Sequence, residues 1–84
     1  LNIDIMERFR LEKSQLTEGW WVLTDTVNLV VITFEEGRFN ETQKITQIEG
    51  GENYTSMNDV MAQVRIIREM SDWLAINHYK IAIG

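Results

Sequence analysis

The chain has 84 residues, 44% of them hydrophobic, with three Trp, three Phe and two Tyr but no Pro and no Cys. Such a length and apolar content describe one domain, residues 1–84, with a real core, and exclude intrinsic disorder, a disulfide framework and a Cys-based zinc site. Thirteen acids against eight bases leave a formal charge of −5, which argues against direct binding to a nucleic-acid backbone.

The opening LNIDIMERFRLEK mixes charged and apolar residues and does not read as a signal peptide. Met6 is a candidate native start, so Leu1 to Ile5 carry little weight. Arg8-Phe9-Arg10-Leu11-Glu12 alternates with period two, as a half-exposed strand does. Ile5 and Phe9, four apart, are the competing helical signal, and the strand is preferred. Trp20 to Thr24 read as the next strand. Asp25-Thr26-Val27-Asn28 supply turn chemistry, because Asp and Asn side chains satisfy nearby backbone groups. Leu29 to Phe34 form the strongest strand signal. Val30, Ile32 and Phe34 fall on one face and Leu29 and Val31 on the other, as in a central strand. Glu35-Glu36-Gly37-Arg38 predicts a tight hairpin, a type I turn closed by a glycine bulge. A further strand resumes at Phe39, is clearest at 43–48, and is polar enough for an edge.

From Ser56 the apolar period becomes 3.6. Val60, Val64, Ile67 and Leu74 define the predicted buried stripe, widened by Met57, Met61 and Met70. Ser56-Met57-Asn58-Asp59 resembles a capping box with Asp in the Glu position. Asn77 and His78 are termination residues, and Tyr79 to Ile83 fit either a last short strand or a fraying helical turn. The chain thus divides into a strand-rich part (8–49), a linker (50–55) around Gly50-Gly51, and a helix over about 56–79. The expected class is α+β: an antiparallel three- to four-stranded meander with one long C-terminal helix packed on one face. One helix cannot cover both sides of strand 20–25, where Trp20 and Val22 oppose Trp21 and Leu23. The second sheet face is therefore left for the N-terminal segment or for a partner.

The inventory for chemistry is thin. His78 is a lone histidine with no nucleophile or acid at a compelling spacing, and a helix C-cap is its expected role. No phosphate loop, nucleophile elbow or zinc-protease motif occurs. No catalytic, cofactor-binding or metal-binding residues are assigned, and an enzyme built from carboxylates and His78 ranks last. Trp20 and Trp21 point to opposite faces of a strand, so one belongs to the core and the other is either a second core or rim contact within the chain, the favoured reading, or an interface anchor. Trp73, on the flank of the helical stripe, is the rim of the core or a contact to a second copy. Glu35, Glu36 and Glu41 are candidates for an acidic surface at the hairpin tip, with Arg38 near enough to neutralise them. Arg8-Phe9-Arg10 with Lys13 mixes bases and an aromatic, but Glu7 and Glu12 oppose it. The sequons at Asn40 and Asn53 are read as chance.

These features predict a small non-enzymatic protein-interaction or regulatory module that meets a protein partner or a second copy of itself as a homodimer, with no membrane contact. The alternative is an acidic decoy that mimics nucleic acid to occupy a basic partner. A decoy would group Glu35, Glu36, Glu41, Glu49 and Glu52 on a face free of bases. The absence of Cys and of a leader points to the cytoplasm.

Overall fold

β-Branched and aromatic residues are concentrated between positions 20 and 35, and in the computed structural model that stretch forms the centre of a sheet. The structure describes residues 7–48 and 59–84. Strands β1 (Phe9–Lys13), β2 (Trp20–Asp25), β3 (Val30–Glu35) and β4 (Lys44–Gln47) lie in chain order in one antiparallel sheet. Helices α1 (Phe39–Thr42), α2 (Val60–Asn77) and α3 (Tyr79–Ile83) complete the described fold. The class is α+β, a four-stranded meander with a long helix on one face, as the periodicities predict. The linker expected at 50–55, and the Ser56 and Met57 assignments, lie outside the described residues.

The register explains which face is covered. Leu11, Leu23, Ile32 and Ile45 stand side by side across the strands, flanked by Phe9, Asp25 and Val30 and by Trp21 and Phe34. Leu23, Ile32 and Phe34 are fully buried there, with Ile66, Met70 and Leu74 of α2 packed on them. The opposite pleat carries Arg10, Glu12, Trp20, Val22, Thr24, Val31, Thr33, Glu35, Lys44 and Thr46, none of them buried.

The helix face differs from the predicted stripe. Ile66, Met70 and Leu74 are the buried positions, with Ile67 and Trp73 at the margins. Val60, Met61 and Val64 are exposed, Met61 by 80%. At 100° per residue these three lie about 80–180° around the helix from the buried face. The hydrophobic positions of this helix wrap most of its circumference, so periodicity alone allowed two faces and the sheet selected one.

Four local expectations are also revised. Leu29 is a turn residue, not the first strand residue, and has φ +58°. Asp25 Oδ1 accepts the backbone N–H of Val27 and of Asn28, each at 3.0 Å. That folds the chain back within the turn, and a left-handed residue then redirects it into β3. The hairpin after Glu35 is not tight, and Phe39 opens α1 rather than a strand. Phe39 is buried edge-on against the Phe34 ring at 5.0 Å. Thr42 Oγ1 accepts the Glu35 N–H at 2.8 Å, so burial of the ring and this bond favour a helical turn before β4 begins. Gly37, at φ +79°, donates its N–H to the Ile81 carbonyl at 2.7 Å, which ties this turn to α3. The last segment, Tyr79–Ile83, is that short helix, the helical one of its two expected readings. Finally, Asp59 serves as the N-cap of α2, its Oδ1 accepting the Ala62 N–H at 3.1 Å.

Candidate functional site

The open pleat carries the half-buried Trp20, Val22 and Val31, and the loop at its end carries the exposed Leu16. The β1–β2 loop is built on Ser14, whose Oγ accepts the N–H groups of Leu16 and Thr17 at 3.1 Å each. Gly19, at φ +85°, ends the loop and starts β2. This geometry leaves Leu16 96% exposed beside Trp20.

Strand alternation separates the two adjacent tryptophans. Trp21 lies on the helix-covered side, packed against the core, and its indole N–H donates to Glu36 Oε1 at 2.8 Å. Trp20 lies on the open side, half-buried, with the Lys44 ammonium 5.4 Å from its ring centroid. Two shallow clefts flank it. One, of about 450 Å³, runs between Lys13, Gln15, Glu18, Trp21 and Glu36. The other, of about 300 Å³, lies between Leu16, Thr17, Trp20, Thr33 and Lys44. Leu16 and Trp20 border both.

Trp73 is not part of this cluster. It stacks at a tilt on Phe9, with centroids 5.6 Å apart, and on His78 at 5.3 Å. Phe9 pairs with Asp25 at one end of β1, whereas Lys13 pairs with Trp21 at the other. The three tryptophans therefore occupy separate places. His78 terminates α2 and also precedes α3, its backbone N–H donating to the Leu74 carbonyl at 2.7 Å.

The acidic candidates are dispersed among partners. Glu35 bonds Arg38 at 3.2 Å, Glu36 accepts from Trp21, and Glu41 sits exposed in α1. Glu49 and Glu52 lie outside the described residues.

One polar cluster escaped the sequence reading. Asp25 is fully buried, and its Oδ2 accepts Arg8 Nε at 2.9 Å, Arg8 Nη2 at 2.7 Å and Asn28 Nδ2 at 3.0 Å. Arg8 Nη1 reaches Glu69 of α2 at 2.7 Å. Burial by itself pushes the Asp25 carboxyl up, but the bonds from Arg8 and Asn28 and the Arg8 charge together hold its pKa below the ordinary aspartate value. The bond to Asp25 likewise raises the pKa of Arg8. The cluster ties the chain before β1, the β2–β3 turn and α2 together, which is structural work. The sequence showed only an Asp at a turn and an Arg seventeen positions earlier, and nothing local linked them.

Among the described residues no group of three or more His, Cys, Asp or Glu gathers as metal ligands, and no helix is long and apolar enough to cross a membrane. No protein family, curated protein or solved structure was found to match the chain.

Proposed function

We propose that this chain is a protein-interaction or regulatory module that acts by contact rather than by catalysis, with the open sheet face around Trp20 as its binding surface. The observation that supports this reading is the one-sided core. Leu23, Asp25, Val30, Ile32 and Phe34, the buried strand residues among those described, lie on the pleat that α2 covers, whereas Trp20, Val22 and Val31 on the other pleat are only half-buried. Trp is a frequent anchor of interfaces because it combines a large apolar area with few rotamers to freeze. Leu16 extends the same surface. The absence of Cys suits a reducing compartment such as the cytoplasm.

The test is affinity capture from a lysate of the source organism with the wild-type chain and Trp20→Ala, both checked for fold by circular dichroism. A specific protein retained by the wild type and lost by Trp20→Ala supports the reading. Capture of a basic nucleic-acid-binding protein that is indifferent to Trp20 and collapses steeply with salt would replace it with the acidic decoy.

A further inference from the structure

The outer edge of β1 has a property that the β4 edge lacks: it is complementary to itself. The hydrogen bonds from Ser14 N–H to the Trp20 carbonyl and from Thr26 N–H to the Arg8 carbonyl set the parity of the β1–β2 ladder. With Arg10 opposite Thr24 and Glu12 opposite Val22, the even-numbered residues of β1 direct their backbone groups to β2. Phe9, Leu11 and Lys13 therefore direct theirs outward, along an edge that no described strand pairs.

We infer that two copies of this chain join through β1, antiparallel and two-fold about Leu11, into one continuous sheet. In that register Phe9 faces the second copy's Lys13, Leu11 faces its own counterpart, and Lys13 faces Phe9, which aligns the outward groups for about six inter-chain backbone hydrogen bonds. The same register sets Arg10 opposite Glu12 of the second copy, twice, on the open pleat. Both side chains are more than half exposed, and among the described residues they are held by a 3.4 Å contact to each other within the strand. Sliding the pairing by one step either way, while keeping the same outward groups, sets Arg10 against Arg10 or Glu12 against Glu12. Like charges directly opposite are destabilising, so charge selects the register.

Charged edge strands normally discourage pairing. Here the alternation Arg-Leu-Glu converts that guard into a specificity device, as a closed two-fold interface requires. On β4 the outward residues are Ile45 and Gln47, flanked by Lys44 and Thr46, and no two-fold register of that strand opposes unlike charges. Leu11 and the Phe9–Trp73 pair also border a cleft of about 430 Å³ beneath the β1 edge, where a second copy adds apolar cover. This inference goes beyond the Trp20 reading and stands without it, since Trp20 lies on β2.

The test is light scattering of the full chain after gel filtration, with charge variants. The wild type is expected at twice its 9.9 kDa mass, Arg10→Glu at the monomer mass, and the double variant Arg10→Glu/Glu12→Arg at the dimer mass again. Because the chain has no Cys, Leu11→Cys gives a second readout. Facing Cα atoms about 5.5 Å apart permit an inter-chain disulfide, whereas Arg10→Cys, set off from its own counterpart, is too distant. A monomeric wild type at about 100 µM, well above ordinary affinities, overturns the inference. So does a dimer that survives Arg10→Glu or crosslinks no better at Leu11 than at Arg10. A Trp20→Ala chain that loses its partner but stays dimeric separates this inference from the contact-face reading.

Discussion

Arg8 reaches the fully buried Asp25 with two guanidinium nitrogens, Nε at 2.9 Å and Nη2 at 2.7 Å, and with its third it holds Glu69 of α2 at 2.7 Å. One side chain thus binds the turn that starts β3 to the helix that covers the sheet. Asp25 also accepts the two N–H groups that shape that turn, so the carboxylate has no idle oxygen.

Asp25→Asn is expected to cost about 1–3 kcal/mol at neutral pH. Arg8 is 30% exposed in its side chain, so water softens the loss of its partner. The Asp25 pKa is lower folded than unfolded, so its stabilisation is complete above the usual aspartate range and is lost as pH falls through the folded value. Urea midpoints measured from about pH 7 down to about pH 2 should show the gap between wild type and variant closing in acid. A gap that persists unchanged to the lowest pH would assign the effect to packing.

The face that α2 presents can be read from two methionines on one helix. Met70→Ala, at a fully buried position, should cost about 2–5 kcal/mol. Met61→Ala, 80% exposed, should stay within about 0.5 kcal/mol. Chemical denaturation of the two variants checks this, and equal costs would contradict the observed rotation of the helix.

Gly37→Ala should lose about 1–2 kcal/mol from the left-handed backbone alone. The new Cβ would also lie 3.4 Å from the Gly84 Cα, at the point where α3 meets the turn after β3. Thermal unfolding of this variant is expected to show a lowered midpoint, and exchange of the residue-37 amide, which donates to the Ile81 carbonyl, should be faster than in the wild type.

Asp59→Ala removes the acceptor of the Ala62 N–H at the start of α2 and is expected to cost about 0.5–2 kcal/mol. Asp59→Asn retains a capping oxygen and should recover most of it, losing only the interaction of the negative charge with the helix dipole. Equal losses in the two variants would show that charge, not the hydrogen bond, carries the cap.

The strands were legible because their signals are local. Alternation at Arg8 to Glu12, and the apolar run ending at Phe34, report the pleat within a few residues, and the order of the meander follows from short connections. The separation of Trp20 from Trp21 followed from the same two-residue period. The turn after Glu35 was less legible. Its glycine does take a left-handed φ, but the burial of Phe39 against Phe34 replaced the expected strand with a helical turn.

By itself the sequence determined the class of fold and the existence of a sheet face that its one long helix does not cover. Both follow from periodicity and from the count of amphipathic surfaces. Only the tertiary structure decided which side of α2 is buried, because apolar residues lie around most of that helix and the shape of the sheet makes the choice. It also decided that Leu29 would turn left-handed, and that Arg8 and Asp25 would meet across seventeen positions. That pairing depends on the β1–β2 register, which brings Arg8 beside the turn. A register is a property of two strands together, and neither strand encodes it alone.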